Sequence, residues 1–345
     1  MTRALVTGAS GFIGWHLAAA LSRRGDQVRC LVRRTSRVDR LEALGVELVT
    51  ADVRVGHDLQ SAVREVDVVY HLAGLTRGLS LDELLAVNEA GVENVARACA
   101  RQARVPVLVV ISSLAAAGPS PVDCPRTKRE PPAPVSNYGR SKLAGERAAA
   151  RWAREVPTTI VRPPIVFGQG DRDGFLMFRM IARRGVHLVP AMGMARVSVI
   201  HAEDLATALL LVADRGARLA GGPANPTAAD RGIYFVADPD HLTYVDLGRL
   251  IGHAVGRPDV RVLHVPQPLV QLAALATEAV VQLRRKPSLL GLDKFRDAIA
   301  GSWTCDCQRI RSTLGFAPAY PLAQRLQETA DWYRREGWLP APQSP

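Results

Sequence analysis

Short, continuously apolar runs alternate with amphipathic segments through the first half of the chain. Such runs are typical of strands buried on both faces, and the segments between them have the period and length of helices. The run 107–111 is apolar throughout, as expected in a parallel sheet. The pattern predicts strands that end near Val6 and that cover 28–32, 46–51, 67–74, 107–111 and 158–162.

Longer segments between and after these runs predict helices and loops. A helix is expected at residues 81–101, and a proline-rich, charged surface loop at 118–134. After residue 165 the regular alternation of strands and helices loosens. We expect a strand and a helix within 196–206, a Gly/Pro/Ala-rich loop at 217–231, strands at 234–236 and 261–265, and a final helix within 307–338 that carries Trp332, Tyr333 and Trp338.

Three glycines, Gly8, Gly11 and Gly14, follow the first strand and precede a predicted helix. Gly8 can adopt the dihedrals of a tight turn, Gly11 lets the main chain approach a pyrophosphate, and Gly14 lets the helix pack closely on the strand. The N–H groups and the positive dipole end of the helix then face the phosphates. The spacing G-x-x-G-x-x-G differs from the common G-x-G-x-x-G, and a purely structural glycine turn is the alternative.

The end of the second strand discriminates between the two nicotinamide dinucleotides. A carboxylate at this point holds the ribose 2′-hydroxyl of NAD. Here the strand is followed by Arg33, and the fork of its guanidinium suits a 2′-phosphate. The sequence therefore favours NADP(H) over NAD(H). The alternative is that Arg33 is a solvated loop residue.

Polar residues also end the third and fourth strands. Asp52, followed by Val53, can accept a hydrogen bond from the amino group of an adenine. His71 precedes a turn of small residues, 72–74, beside the expected cofactor. The position of His71 at a strand end favours a packing or cofactor-lining role over that of a catalytic base.

Ser113, Tyr138 and Lys142 are the candidate catalytic residues. Tyr138 and Lys142 lie four residues apart and share one face of a helix for which Ser136 is a suitable N-cap. A tyrosine has a pKa near 10, and the positive charge of Lys142 is expected to favour its phenolate. Ser113 would orient a substrate oxygen for proton exchange with Tyr138. The alternatives are a core tyrosine, a lysine that extends to solvent and a serine that only ends a strand.

Composition narrows the class of protein. The chain has 345 residues, of which 48% are hydrophobic and 22% charged, and a formal net charge of +11. These shares are typical of a globular protein, and no apolar run is long enough to span a membrane. The net charge suits anionic partners, but scattered arginines and 5% aromatics do not favour nucleic-acid binding.

Five unevenly spaced cysteines give no disulfide framework, and the C-x-C at Cys305 and Cys307 gives no metal site. No secretory signal precedes the first strand. The sequence therefore predicts a cytoplasmic protein.

The segment 268–292 is the most apolar long stretch of the C-terminal part. Its apolar positions lead directly into Arg284, Arg285 and Lys286. An apolar helix that ends in cations can lie in a membrane interface, with its charges on anionic headgroups, so peripheral contact with the inner membrane face is one hypothesis. The alternatives are a lid over an apolar substrate, a core helix or a homodimer interface.

Several of these motifs together resemble the extended short-chain dehydrogenase/reductase family, the epimerase/dehydratase-like group. The resemblance covers nearly the whole chain. It implies an α/β fold with a doubly wound parallel sheet, and a smaller mixed α/β domain that binds substrate. The matching pieces are Thr7–Gly14, His71–Gly74, Ser112-Ser113, Tyr138–Lys142, Arg162–Gly168, Asp204–Ala206 and Leu314–Pro318.

The family pattern implies a domain division and a set of cofactor-binding residues. Residues 1–165, with parts of 196–215 and 233–237, are expected to form the NAD(P)-binding domain, and 166–345 mainly the substrate domain. Tyr138 acts as acid/base with Ser113 and Lys142. The residues expected at the cofactor are Gly8, Ser10, Gly11, Phe12, Ile13, Gly14, Arg33, Asp52, Val53, Leu72, Ala73, Gly74, Tyr138, Lys142, Pro163 and Ile165.

Within the family, the chain is most similar to the 3β-hydroxysteroid dehydrogenase, sterol-4-carboxylate dehydrogenase and dihydroflavonol reductase branch. This implies an oxidoreductase that interconverts a secondary alcohol and a ketone on a sterol-like or flavonoid-like substrate. Nucleotide-sugar epimerases usually carry an asparagine where this chain has Pro163-Pro164. A nucleotide-sugar epimerase or dehydratase and a non-catalytic NADP-binding regulator remain as alternatives.

Overall fold

A computed structural model describes residues 1–190, 195–220, 232–284 and 291–340. The strands are β1 (Arg3–Thr7), β2 (Gln27–Val32), β3 (Glu47–Thr50), β4 (Val68–His71), β5 (Val107–Ile111), β6 (Thr158–Arg162), β7 (Ile165–Phe167), β8 (Val186–Pro190), β9 (Arg196–Val197), β10 (Val199–His201), β11 (Ile233–Phe235), β12 (Leu242–Thr243) and β13 (Arg261–Val265). The helices are α1 (Phe12–Arg23), α2 (Asp39–Glu42), α3 (Leu59–Val63), α4 (Leu81–Asn88), α5 (Ala90–Ala100), α6 (Leu114–Ala117), α7 (Asn137–Arg151), α8 (Phe175–Arg184), α9 (Ala202–Arg215), α10 (Tyr244–Ala254), α11 (Gln267–Arg284), α12 (Leu292–Ile299), α13 (Gln308–Leu314) and α14 (Leu322–Arg335).

Seven parallel strands form the central sheet in the order β11-β6-β5-β4-β1-β2-β3. The order reverses at β1, which pairs with β2 on one side and β4 on the other. The loops after β1 and β4 therefore diverge and leave a crevice at the carboxyl edge of the sheet, where doubly wound folds bind ligands. The predicted α/β class and parallel sheet are confirmed.

Both faces of the sheet are covered, so its strands are apolar at successive positions. In β5, Val109 and Ile111 pack toward the layer of α1 and α9, whereas Leu108 and Val110 pack toward the layer of α3, α5 and α7. This two-sided burial explains why the strand at 107–111 has the bounds that the sequence predicted. A third apolar core lies outside the central sheet and includes residues of α8, α10 and α14.

Some predicted elements have different bounds. The helix expected at 81–101 is interrupted at Glu89, where α4 and α5 cross α7 so closely that a Cβ on Gly145 would lie 2.2 Å from the Asn88 carbonyl oxygen. The expected loop at 118–134 is tied to a distant segment, because Ser120 and Arg126 form backbone bridges to Ser302 and Cys305. Trp338 lies beyond the end of α14.

Two predicted segments lie partly outside the described residues, namely the loop at 217–231 and the basic end of the apolar segment at 285–290. Among the described helices, none combines the length and the apolarity needed to cross a bilayer.

Candidate active site

The glycine turn after β1 has the geometry of a dinucleotide cradle. Gly8 has φ of +70°, and a Cβ there would lie 2.7 Å from the Ala73 nitrogen. A Cβ on Gly14 would lie 2.2 Å from the Gly8 carbonyl oxygen. No side chain caps the N-terminus of α1, and its first turn contains no acidic residue. Its free N–H groups and dipole are therefore available to a pyrophosphate, and this part of the chain fits a dinucleotide.

Thr7 and His71 join the ends of β1 and β4 beside this turn. The Thr7 hydroxyl lies 2.8 Å from His71 Nδ1 and accepts a hydrogen bond from the Ala73 N–H at 3.1 Å. Burial lowers the pKa of His71 to about 3, with a further contribution from the charge of Lys142. His71 is therefore neutral at physiological pH. This environment suits the packing role better than that of a catalytic base.

The two remaining strand ends carry charged side chains, of which Arg33 is exposed and Asp52 is half-buried. Arg33 follows β2, and its N–H donates to the Ser36 hydroxyl at 3.0 Å. Asp52 follows β3, and both of its carboxylate oxygens accept hydrogen bonds from the Arg54 guanidinium. These bonds lower the pKa of Asp52, and the positive charge of Arg33 lowers it further. A contact from Asp52 to an adenine would therefore compete with Arg54.

Ser113, Tyr138 and Lys142 come together at the carboxyl end of β5. Ser113 begins α6, and its hydroxyl accepts from the Ala115 N–H at 3.1 Å. Ser136 caps α7 by accepting from the Gly139 N–H, as predicted, and places Tyr138 and Lys142 in its first two turns. All three candidate residues line the same cavity.

Burial dominates the electrostatics of these residues. It raises the pKa of Tyr138, an effect that the charge of Asp297 reinforces and a hydrogen bond with Ser113 opposes. Burial also lowers the pKa of Lys142 to about 8, and its ammonium donates to the Ile111 carbonyl oxygen at 2.6 Å. The net shift of the Tyr138 pKa is therefore upward, opposite to the lowering expected from Lys142, and it is caused by burial and Asp297.

A buried ion pair supports the same helix one turn further on. Glu146 follows Tyr138 and Lys142 on one face of α7, and its carboxylate accepts from Arg162 Nε at 2.8 Å and Nη2 at 2.6 Å. The Ser112 hydroxyl donates to the same carboxylate at 2.5 Å. Arg162 and Glu146 side chains are only 4% and 5% exposed. The network joins α7 to the ends of β5 and β6, and sequence reasoning missed Glu146.

Two adjoining cavities meet at Ser113 and Tyr138. The smaller, about 320 Å³, lies at the end of the glycine turn. It brings together the predicted residues Phe12, Ile13, Leu72, Gly74, Ser113, Tyr138, Lys142, Pro163 and Ile165. The other predicted residues, Gly8, Ser10, Gly11, Gly14, Arg33, Asp52, Val53 and Ala73, follow β1 to β4 and do not line it.

The larger cavity measures about 490 Å³ and lies on the side of the C-terminal elements. Its wall is mainly apolar, with Leu114, Ala115, Pro164, Ile165, Val166, Val189, Ala195, Val197, Ala298 and Trp303. Two ion pairs interrupt this wall, Arg77 with Asp173 and Lys294 with Asp297.

Similarity to known proteins agrees with this architecture. Residues 4–224 match the model of the NAD dependent epimerase/dehydratase family. The chain belongs to this family. Its members are NAD(P)-dependent enzymes, and the chain is accordingly an NAD(P)-dependent enzyme of the extended short-chain dehydrogenase/reductase type.

Individual family members match over nearly their whole length. The "Ceramide reductase" of Caulobacter vibrioides is 32% identical over 340 residues, which cover 97% of this chain and 95% of the relative. "Sterol demethylase protein B" of Methylococcus capsulatus is 28% identical over 97% of this chain and 99% of its own. The structure of dTDP-glucose 4,6-dehydratase from Streptomyces venezuelae, with NAD and TYD bound, has a TM-score of 0.76 at 20% identity and covers 99% of this chain and 100% of its own.

The charged and polar lining residues of the larger cavity that sequence reasoning missed include residues from two loops and from α12. Thr76, Arg77 and Asp173 follow β4 and β7, in loops without a recognisable pattern. Lys294 and Asp297 lie three residues apart, which places them on one face of α12, but helical spacing alone does not indicate what that face contacts. Lys294 and Asp297 reach the cavity only through the tertiary structure of this chain.

Proposed function

We propose that the chain is an NADP(H)-dependent oxidoreductase that interconverts a ketone and a secondary alcohol on an apolar, lipid-like substrate. The observation that carries this proposal is the position of Ser113 and Tyr138 at the junction between the cavity beside the glycine turn and the larger, mainly apolar cavity. The resemblance to hydroxysteroid and sterol dehydrogenases and the reductase and sterol-related relatives support the same reaction class.

Each polar group has a defined role in this reaction. A bound nicotinamide supplies the hydride for the carbonyl carbon or accepts it from the carbinol carbon. In reduction, the Tyr138 hydroxyl gives its proton to the carbonyl oxygen, which thereby becomes the alcohol oxygen. The Ser113 hydroxyl donates a hydrogen bond to that oxygen. In oxidation, the phenolate of Tyr138 takes the same proton back.

Lys142 completes the set from the cofactor side. Its ammonium lines the cavity beside the glycine turn and already donates to the Ile111 carbonyl oxygen at 2.6 Å. An ammonium has three donors, so further hydrogen bonds can hold the nicotinamide ribose. Glu146, one turn away, helps to keep Lys142 protonated, because its negative charge raises the pKa of the lysine against the effect of burial.

The charges in the larger cavity favour a neutral substrate over a nucleotide sugar. A sugar diphosphate needs unpaired cations, and the arginine and lysine that line this cavity, Arg77 and Lys294, are both paired with carboxylates. The apolar remainder of the wall suits a lipid chain or a fused ring system. The nucleotide-sugar epimerase remains the second candidate, supported by the structural relative that binds a nucleotide.

Arg33 supports the preference for NADP(H). It is exposed directly after β2, the strand next to the glycine turn in the sheet, and is the first residue beyond that strand. No carboxylate stands in its place to bind a ribose 2′-hydroxyl. Its exposed guanidinium can therefore pair with a 2′-phosphate.

The outer surface of α11 supports peripheral contact with an anionic membrane. Leu269, Leu272 and Leu283 of this helix are 57%, 63% and 85% exposed. Among its described side chains, those of Ala274 and Val281 are buried. The basic residues Arg284, Arg285 and Lys286 complete the segment. Such a surface can dock on lipid. Docking would bring an apolar substrate close to the larger cavity, which the next helix, α12, lines. A homodimer that covers α11 is the alternative.

Replacement of Tyr138 by phenylalanine tests the proposed reaction. We expect Tyr138→Phe to lose about 10²–10⁴-fold in turnover, since only proton transfer is removed, and to bind NADPH almost as well as wild type. Oxidation of NADPH with steroid, long-chain and flavonoid ketones is followed by the absorbance of the reduced nicotinamide. The exposed Tyr320→Phe is the matched control.

Two results would contradict the proposal. Retention of more than about a tenth of the wild-type rate in Tyr138→Phe would remove its role as acid/base. Conversion of a nucleotide sugar without net change in reduced nicotinamide would instead identify an epimerase.

A further inference from the structure

The ion pair of Lys294 and Asp297 lies beside the proposed acid/base and has no part in the reaction described so far. Lys294 Nζ is 5.4 Å from the centroid of the Tyr138 ring and 3.5 Å from Asp297 Oδ2. Both residues line the larger cavity. The pair therefore lies close to any carbonyl group of a substrate that reaches Tyr138.

Its position is held by hydrogen bonds from the catalytic helix. Asp293 Oδ1 accepts from the Asn137 N–H at 2.6 Å, and Asp293 Oδ2 accepts from the Tyr138 N–H at 3.1 Å. The Trp303 indole N–H donates to the Asp297 carbonyl oxygen at 2.8 Å. These bonds attach α12 to the backbone of Tyr138 itself, and they place Lys294 and Asp297 beside the proposed acid/base.

The pair is poorly explained as a stabilising contact of the fold. The Asp297 side chain is 16% exposed. Ser136 and Lys294 both interact with its carboxylate, yet Oδ1 is buried without a hydrogen bond of good geometry among the described residues. Burial raises the pKa of this carboxyl despite the nearby ammonium. A desolvated carboxylate with an unused acceptor costs stability, and a buried group of this kind in a native protein calls for an explanation such as a functional role.

We infer that Lys294 and Asp297 form a subsite for a second, neutral polar group of the substrate, one that accepts a hydrogen bond from Lys294 and donates one to Asp297. A secondary amide and a hydroxyl have this chemistry. An anion would be repelled by Asp297 and a cation by Lys294. This inference rests on the proposed function and narrows its substrate class to long-chain or polycyclic ketones that carry an amide or hydroxyl group close to the carbonyl.

Three ketones of equal chain length test the subsite: one with a 2-acylamino group, one with a 2-hydroxyl group and one with neither. Reduction by NADPH is measured as kcat and KM for wild type, Asp297→Asn and Lys294→Met. We expect wild type to prefer at least one of the substituted ketones about tenfold or more in kcat/KM, because a buried hydrogen bond to a charged group has about that effect. Each variant should lose this preference, mainly through KM, so that kcat/KM falls about tenfold or more further on the preferred substituted ketone than on the plain ketone.

Controls separate recognition from folding. Asp331→Asn removes an exposed carboxylate from another helix and should leave all three values unchanged. Thermal unfolding checks each variant, and the more exposed Lys294→Met carries the test if Asp297→Asn does not fold. The acylamino and hydroxy ketones distinguish the two possible groups.

Equal kcat/KM of wild type on all three ketones, or equal losses in the variants on all three, would overturn the subsite and leave the reductase intact. Failure of wild type to reduce any of them, while it acts on a nucleotide sugar, would overturn the proposed function and the subsite with it.

Discussion

Loss of the negative charge of Glu146 should destabilise the protein more than loss of any surface charge. In Glu146→Gln the buried Arg162 guanidinium faces an amide in place of a carboxylate, and two charge-assisted hydrogen bonds are weakened. Removal of one partner from a buried ion pair typically costs about 3–5 kcal/mol, since the other charge remains desolvated.

The expected change in melting temperature follows from the size of the chain. At about 2.1 cal/mol/K per residue, 345 residues give an unfolding entropy of about 0.7 kcal/mol/K. A loss of 3–5 kcal/mol then lowers Tm by about 4–7 °C. The Arg104→Gln control breaks a pair whose arginine is 86% exposed, and we expect it to cost less than about 1 kcal/mol.

A double variant and a kinetic measurement distinguish the ion pair from a packing defect. Glu146→Leu with Arg162→Met removes both charges and should recover most of the lost stability. Glu146→Gln should also lower the pKa of Lys142 further, because the charge of Glu146 raises it, and should move the alkaline limit of kcat/KM to lower pH. A Tm within about 1 °C of wild type for Glu146→Gln would refute the argument.

Three further predictions concern cofactor, pH and membrane contact. Arg33→Ala should weaken NADPH binding about 10–100-fold and leave NADH binding unchanged. Equal losses for both cofactors would show that Arg33 does not contact the 2′-phosphate. Burial raises the pKa of Asp171 to about 6. The native state therefore binds more protons than the unfolded state between about pH 4 and 6, and wild type loses stability as pH rises through this window. From this shift we expect the free energy of unfolding of Asp171→Asn to rise by about 2–3 kcal/mol relative to that of wild type as pH increases from 4 to 7. A stability difference that does not change with pH would contradict this prediction. Wild type should sediment with anionic liposomes at low salt. The double variant Leu272→Gln with Leu283→Gln should sediment less. The control Val55→Gln, at an exposed apolar position far from α11 in the sequence, should sediment like wild type. A wild type that stays in the supernatant would favour the dimer interface.

The strands and the glycine turn could be predicted because their sequence signals are local. The run at 158–162 is buried on both faces, and the structure gives a strand with the same bounds. The cap at Ser136 and the spacing of Tyr138 and Lys142 depend only on helical geometry. Gly8 is needed for its positive φ and its approach to Ala73, a requirement that the position of the motif after a strand already suggested.

The substrate side of the site could not be predicted in this way. Asp293 contacts Tyr138 across 155 residues of sequence, and Arg77 meets Asp173 across 96. The charges at these positions are indistinguishable, in sequence, from those of a solvated helix face or loop. Their roles depend on which element packs over the cavity, which is a tertiary property and leaves no periodic signal.

The difference between the expected and the observed electrostatics of Tyr138 bears on the pH dependence of the reaction. Sequence reasoning assigned Lys142 the task of stabilising the phenolate, which suits alcohol oxidation. In the structure, burial and Asp297 raise the pKa of Tyr138, whereas burial lowers that of Lys142. At neutral pH the tyrosine therefore keeps its proton and can donate it to a carbonyl oxygen. If Tyr138 is the acid/base, alcohol oxidation, which needs the phenolate, should become faster as pH rises, whereas ketone reduction, which needs the phenol, should slow only when Tyr138 ionises.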